Sequence, residues 1–534
     1  MRANSFRLGV GACTAGVLSF LLVRLSAWPP HEDETLALFV GRQSLGGLVH
    51  TVLGQRGGAP LHFGFAWIVA HTGGGLTSLR LVSALFAAGS VPVIAALGAR
   101  LAGRGAALAA SALVSGSWVL LFHGVYGRMY SLFLFTSALS YLALVDAIER
   151  GGRRRWALWG GAAFLAIACH PYGALVFASQ GLFVLVGRRR IRDALWPFGV
   201  VAVLGTPMWR SDLVLAGRFD VGVGGGGEKL GTPTSVLDYL DHVAGDFTAG
   251  YQAVLIVALL LALGGFVQLV RTRSQAALLI AAVIVTPTAA LMLARLGSST
   301  SPESRHLIFA LPFFAILVGA GLVEAARRVP SVGPVVAAVA IAALVPAEIS
   351  WGYHKTPELY RGAPASVVRA RDEAAAWLAS TAEPNDVLFG YEPLFLEAWQ
   401  RARGHMSKLV VPRADPKLAL NALVRAHLPL GHGVWVFDAF ETNNYWRRRE
   451  IKLVYPDPAA EFEVRVFGPY LVIRSKQPVV TPRRFLKLSR QVELVGKCPG
   501  LCIGDADVNL QTVLLAGPRL DRYEASRSRS TVSR

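Results

Sequence analysis

The amino-acid sequence predicts a polytopic α-helical membrane protein of about eleven transmembrane helices with an α/β domain at its C-terminal end. Three observations carry that reading. The 534 residues are 53% hydrophobic and only 16% charged, with a mean hydropathy of +0.46, whereas soluble proteins carry charge at about a quarter of their positions. Apolar runs of about 20 residues recur, each long enough to cross a hydrocarbon core roughly 30 Å thick. After Trp351 those runs stop, and period-two and helical patterns take over.

Taken in order, the spans are expected at 8–28, 76–99, 105–123, 130–148, 156–171, 173–187, 194–209, 251–270, 276–296, 306–325 and 331–349. The first run resembles a signal peptide, but Trp28-Pro29-Pro30 follows in place of a small-residue cleavage site, so a retained helix is expected. The stretch "PLHFGFAWIVAHTGG" at 60–74 is apolar but short, and it is expected to lie in the interface. Arginine placement supports that choice. With an inside N-terminus and no crossing at 60–74, five basic clusters all fall inside: Arg100/Arg104, Arg150 to Arg155, Arg188 to Arg192, Arg271/Arg273 and Arg327/Arg328. The net charge of +19 follows from the same bias, and no nucleic-acid partner is expected. The expected organisation is a transmembrane module at 1–350 with juxtamembrane helices in 29–75, a soluble extracytoplasmic α/β domain at 355–515, and a disordered tail at 516–534.

The same topology gathers the chemically suggestive residues on the outer face. "HEDET" places Glu32, Asp33 and Glu34 directly after the first span. One acid there is explained by capping a helix N-terminus. Three acids beside a membrane also suit a cavity rim on which a carboxylate acts as general base. "HGVYGRMY" sets Arg128 between Tyr126 and Tyr130 at the mouth of a span, "HPYG" sets His170 at another, and "PESRH" sets Arg305 and His306 at a third. Each mouth alone reads as a snorkelling cation in an aromatic belt. Together they suggest an anion, since arginine matches phosphate oxygens two at a time. Cys13 and Cys169 lie in apolar runs, and Cys498 with Cys502 has the spacing of a short-loop disulfide. Two adjacent acids are too few to name an ion, which leaves a divalent metal open.

The ordered set of Asp33-Glu34, "GAPLHFGFAWIV", "SLRLVSALFAAGSVPVIAALGARLAGRGAAL", "YGRMYSLFLF" and "ESRHLIFALP" resembles membrane glycosyltransferases of the GT-C type. The likeness is to the protein O-mannosyltransferase and aminoarabinose-transferase group and to related bacterial enzymes that use polyprenyl-phosphate sugars. It covers roughly residues 8–330. Ala59, His62 and His306 stand where the family often has Pro, Tyr and Tyr, which touches sugar and lipid specificity more than reaction class. The resemblance implies inverting transfer of a sugar from a polyprenyl-phosphate donor in the bilayer to a glycan, lipid or protein hydroxyl outside. Asp33 would be the base and Glu34 its neighbour in acceptor placement. His62, Arg80, Arg128, Tyr130, His170, Arg305 and His306 would contact donor phosphate or substrate. The rival classes are a lipid-linked sugar flippase and a non-catalytic scaffold for cell-envelope assembly. Few charges fall mid-span, which disfavours transport, and a scaffold leaves the acids and outer arginines unexplained.

Overall fold

The computed structural model describes residues 3–188, 190–219, 230–297, 302–403, 405–407, 409–412, 415, 418, 421–423, 426, 429–437 and 461–496. The expected tail at 516–534 and the pair Cys498 and Cys502 lie outside the described residues. By internal contacts the chain divides into two units, Met1–Pro29 with Val40–Gly362, and Pro30–Phe39 with Ala363–Arg534.

The described helices begin with α1 (Ala3–Arg24), α2 (Glu32–Gly41), α3 (Leu45–His50), α4 (Pro60–His71), α5 (Leu76–Leu101), α6 (Arg104–Gly116) and α7 (Trp118–Val125). Next come α8 (Tyr130–Arg150), α9 (Arg153–Cys169), α10 (Gly173–Gly187), α11 (Ile191–Leu204), α12 (Thr206–Phe219) and α13 (Pro233–Phe247). They continue with α14 (Gln252–Thr272), α15 (Ser274–Ala294), α16 (Leu311–Arg328), α17 (Gly333–Lys355) and α18 (Pro357–Arg361). Among the described residues, seven helical stretches are long and apolar enough to cross a membrane: α1, α5, α8, α14, α15, α16 with the turn before it, and α17. The count reaches nine if the bent pairs α6 with α7 and α11 with α12 each form one span. The chain is thus a multi-pass membrane protein. Helices α9 and α10, expected as spans, have 17 and 15 residues, so eleven crossings is more than length and apolarity support. Both bent pairs break by 53°, one at Gly116-Ser117 and the other at Gly205 just before Pro207, residues that commonly interrupt a helix.

Burial ranks the spans of the first unit. The window of α16 is 78% buried and that of α8 72%, whereas α1 and α17 are at 17%. Leu8, Val23, Val335 and Val339 point outward from those two peripheral helices, as suits a hydrocarbon solvent. Helix α8, 21 residues long, has distinct ends about 30 Å apart. At its Arg150 end, Asp146 pairs with Arg100 (2.8 Å), Arg155 (3.0 Å) and Arg150 (3.3 Å). Arg190 Nε donates to the Ile148 carbonyl (2.9 Å) and Arg273 Nη1 to that of Arg100 (2.8 Å). Four of the basic clusters therefore meet at one end of α8.

A single juxtamembrane helix over 34–55 would put Asp33 at its N-cap; instead the chain breaks within that range and α2 starts one residue before Asp33. The chain leaves α2 at Gly41 and restarts at Leu45, where Ser44 Oγ accepts from Gly47 N (3.2 Å). It then runs into a π-helical turn, Thr51–Arg56. Ser44 with Gly46 and Gly47 favours a new start over continuation. Helix α4 has twelve residues, too short to cross a core of roughly 30 Å.

The second unit holds α19 (Ala365–Thr381), β1 (Val387–Gly390), α20 (Glu392–Arg401), β2 (Leu409–Pro412), β3 (Gly433–Phe437), β4 (Phe462–Phe467) and β5 (Tyr470–Ser475). The strands form one sheet in the order β2-β1-β3-β5-β4. β1 runs parallel to β2 and β3, and β5 antiparallel to β3 and β4. Both faces are covered, so β1 and β3 are buried at every position. One core holds Leu388, Val434, Val436 and Val472 with Leu378 and Phe395 of α19 and α20. The other holds Phe389, Trp435 and Ile473 with Phe485 of the helix Pro482–Gly496.

Asp386 fixes the entry to β1. It is fully buried; Oδ1 accepts from His432 N (2.7 Å) and Oδ2 from Glu383 N (2.9 Å), with Arg474 at 3.9 Å. Burial raises its pKa above the ordinary value, opposed by those bonds and by Arg474. Asp386→Ala strands these donors, and the expected cost is about 2–4 kcal/mol. Hydrogen exchange at β1 and β3 in the full-length protein measures it; unchanged protection would refute the anchoring role.

Candidate functional site

The end of α8 opposite the basic clusters carries a cationic and aromatic cup, all of it within the first unit. Tyr130 is the first residue of α8, His123 lies in α7, His170 follows α9, and Arg305 and His306 open the 3-10 turn Ser304–Ala310. The Tyr130 ring centroid is 4.7 Å from that of His123, 5.7 Å from His170 and 5.8 Å from His306. His170 and His306 are 5.3 Å apart, and the Arg305 guanidinium sits 5.1 Å over the Tyr130 ring. Arg128, nearly buried, lies within electrostatic reach of His123 and His170. The structure thus unites Arg128, Tyr130, His170, Arg305 and His306, which the sequence offered as separate mouths, and adds His123.

Hydrogen bonds set the imidazole tautomers. His170 Nδ1 accepts from Tyr172 N (3.0 Å), leaving Nε2 to carry a proton. His306 Nδ1 lies 3.1 Å from the Glu303 carbonyl and so donates to it. Glu303 also pairs with Arg305 at 2.5 Å, from a half-exposed position. With cations and N–H donors around one aromatic ring, the cup suits a phosphate.

Arg56 and a neutral His62, both buried, lie within electrostatic reach of each other, and Arg128 of the cup lies within reach of His62. Arg56 ends the π-helical turn, its guanidinium 4.7 Å over the Phe63 ring, with Nη1 donating to the Gly57 carbonyl (3.0 Å). Ala59 follows in the left-handed region at φ 47, a strained geometry for a residue with a Cβ, just before Pro60. Single π turns of this kind are frequent at functional sites. No sequence pattern singles out Arg56, because a π turn and an α turn share the same apolar pattern.

Burial pushes the His62 pKa down to about 3, reinforced by Arg128 and Arg56. The unfolded chain takes up that proton near pH 6.5. Between these values the unfolded state binds more protons, so the stability from a neutral His62 is present above pH 6.5 and lost on acidification. The slope reaches at most about 1.4 kcal/mol per pH unit. His62→Gln should therefore narrow the gap between unfolding midpoints at pH 7.5 and pH 5. An unchanged gap would refute the assignment.

Arg80 has a different engagement. It is buried, and Nη1 donates to the carbonyls of Leu25 (3.0 Å) and Trp28 (2.7 Å), with Nη2 donating to that of Pro29 (3.2 Å). These carbonyls follow the end of α1, so Arg80 secures the exit of the first span.

Asp33 and Glu34 belong to the second unit. Helix α2 starts at Glu32, so Asp33 sits inside the first turn and His31 precedes it. His31 Nδ1 accepts from Asp33 N (3.2 Å), and the Glu34 carboxylate accepts from His31 N (3.0 Å). This is a reciprocal cap with histidine in the place of Ser or Thr. Glu34 is fully buried, while the Asp33 side chain is one-quarter exposed. The helix is tied to its unit by Tyr391, whose hydroxyl donates to the Pro30 carbonyl (2.5 Å), and by Phe39 stacked on Trp399 at 5.8 Å.

Beside the cup, a cavity of about 450 Å³ is lined by Trp118, His123, Tyr239, Asp246, Arg305 and Lys355 among others. Among the described residues, no group of three or more His, Cys, Asp or Glu side chains is placed to hold a metal ion.

No family model matches the chain, and neither does any curated protein. Solved structures do. ArnT from Cupriavidus metallidurans bound to undecaprenyl phosphate aligns with a TM-score of 0.55 at 15% identity, covering 89% of this chain and 98% of that one. Its apo state aligns at 0.54 and 13% identity, covering 87% and 97%. The apo form of the Archaeoglobus fulgidus oligosaccharyltransferase aligns at 0.53 and 11% identity, covering 83% and 71%. Both proteins are GT-C glycosyltransferases. At such identities the likeness speaks for fold, and the fold of this chain is GT-C: a helical membrane module followed by a C-terminal α/β domain.

Proposed function

We propose that the protein is an integral-membrane glycosyltransferase that moves a sugar from a polyprenyl-phosphate donor to a hydroxyl of an extracytoplasmic glycan, lipid or protein. The observation that carries this reading is the cup at the Tyr130 end of α8, where Arg128, Arg305 and three histidines surround one tyrosine. It occurs in a chain whose fold is shared with ArnT, a protein solved with undecaprenyl phosphate bound.

In the proposed reaction the acceptor oxygen attacks the anomeric carbon as its proton passes to the Asp33 carboxylate. The new C–O bond forms while the bond to the phosphate oxygen breaks, inverting the carbon, and the electron pair leaves with the lipid phosphate. Arg128 and Arg305 stabilise that developing charge, the kind of contribution usually largest in transfer reactions. Glu34 supports Asp33 by capping α2.

The cup and the gathered arginines lie at opposite ends of α8, about 30 Å apart. By the positive-inside bias the arginine end faces the cytoplasm. In the proposed topology the N-terminus is inside and the cup and the C-terminal domain are outside. Labelling of a cysteine placed near Arg153 from outside only would overturn this orientation.

The functional test is incubation of purified protein in detergent with a panel of polyprenyl-phosphate sugars, with and without EDTA, reading released lipid phosphate. Arg128→Ala and Arg305→Ala should each lower turnover about 10²–10³-fold, by analogy with oxyanion donors. Normal turnover in both variants would refute the phosphate role. A transport reading draws on Glu348, an acid buried within α17. Lipid scrambling in vesicles without sugar release would favour it instead.

A further inference from the structure

We infer that Asp246 is a positioning residue for Arg305, acting through Ser304; this rests on the reading of Arg305 as a donor-phosphate contact. Asp246 lies at the last turn of α13, its side chain only 2% exposed. Its Oδ2 accepts from Ser304 Oγ at 2.5 Å and lies 3.5 Å from His242 Nε2. Its Oδ1 accepts from Lys355 Nζ (3.0 Å) and Trp351 Nε1 (3.2 Å). One buried carboxylate thus joins α13, the 3-10 turn Ser304–Ala310 and α17. A buried charge is costly, and hydrophobic replacements of buried ion pairs are often as stable. Stability alone is therefore a weak reason to place one here.

What the carboxylate holds supplies a stronger reason. Ser304 stands between Glu303 and Arg305 and opens a turn seven residues long. Such turns have poorer hydrogen-bond geometry than an α-helix, so an anchor on the first residue governs where the next side chain leaves the backbone. That side chain is Arg305, over Tyr130 in the cup. Asp246, Ser304 and Arg305 all line the same cavity. A displacement of about 1 Å in a charge-stabilising group is enough to cost roughly 10²-fold in rate. The short bond from Ser304 to Asp246 prevents that displacement.

The test measures binding of undecaprenyl phosphate to the full-length protein in detergent, alongside the unfolding midpoint of each variant. Arg305→Ala should weaken binding at least about 10-fold. Ser304→Ala, which removes one hydroxyl, should weaken it about 5-fold with little change in midpoint, and Ser304→Thr should restore it. Asp246→Asn should act like Ser304→Ala. Adding Ser304→Ala to Arg305→Ala should cost nothing further, because coupled residues are not additive. Wild-type binding by Arg305→Ala would remove the donor reading and the inference with it. Weak binding by Arg305→Ala but wild-type binding by Ser304→Ala would remove the inference alone. A lower midpoint with unchanged affinity in Asp246→Asn would make the cluster purely structural and overturn the proposal. Should Asp246→Asn fail to fold, the Ser304 pair still decides.

Discussion

Asp33→Asn is expected to lower sugar transfer about 10²–10⁴-fold, the range typical of a lost general base, while undecaprenyl phosphate still binds. The substitution is nearly isosteric, and the backbone N–H of residue 33 still reaches His31 Nδ1, so helix α2 keeps its start. The neighbouring acids sharpen the test. Glu34 accepts from His31 N and is fully buried, so Glu34→Ala should cost about 1 kcal/mol or more of stability as a lost cap. Any effect of Glu34→Ala on transfer should follow that loss of stability. Glu32→Gln should remain active. The N-terminus of α2 favours a negative charge in its first turn, which holds a carboxylate ready without requiring it to be a strong base. Full transfer by Asp33→Asn would reduce the three acids to a helix start, and the proposed mechanism would lose its base.

Whatever the hydrocarbon core dictates by thickness could be read from the sequence. Long apolar runs at α5, α8, α14, α15 and α16 had to be helices. Arginine sorting, a bias of whole loops, anticipated clusters that now meet around Asp146. In the second unit β1, β3 and the pair β4 with β5 announced themselves by β-branched and aromatic runs. The edge strand β2, only four residues long, did not.

The site was legible residue by residue but not as a constellation. Arg128, Tyr130, His170, Arg305 and His306 were each visible at a helix mouth, yet no local pattern says that four helix ends converge on one tyrosine. His123 carries no local signal of its own, because a histidine on an apolar helix reads as core. Asp33 lies two positions past the residue that caps α2, because His31, not among the usual caps, accepts through its ring nitrogen as one. Asp246 lies 58 residues from Ser304 and 105 from Trp351, beyond the reach of periodicity or motif.

The largest expected loss of stability comes from two glycines where α14 crosses α16. A Cβ at Gly321 would fall inside van der Waals contact with the carbonyl oxygen of Leu261, and one at Gly265 with that of Leu317. The two backbones touch directly, which only glycine permits, and in lipid such close packing stands in for the hydrophobic effect. Helix α16 cannot simply retreat, because a Cβ at Gly319 would lie 2.5 Å from the Ala106 carbonyl of α6 on another side. Gly321→Ala should therefore cost about 3 kcal/mol, the upper range for overpacking, and Gly321→Leu should yield no folded protein. Gly264 supplies the control, since a Cβ there meets nothing within 4 Å, and Gly264→Ala should leave the midpoint unchanged or slightly raised. The thermal midpoint and yield of monodisperse protein in detergent measure all three. The consequence reaches the site, because α16 continues directly from the turn that carries Arg305 and His306. Forcing α14 and α16 apart should weaken undecaprenyl-phosphate binding even in the fraction of Gly321→Ala that folds. Equal midpoints for Gly321→Ala and Gly264→Ala would show that the crossing tolerates a methyl group, and the packing argument would fail.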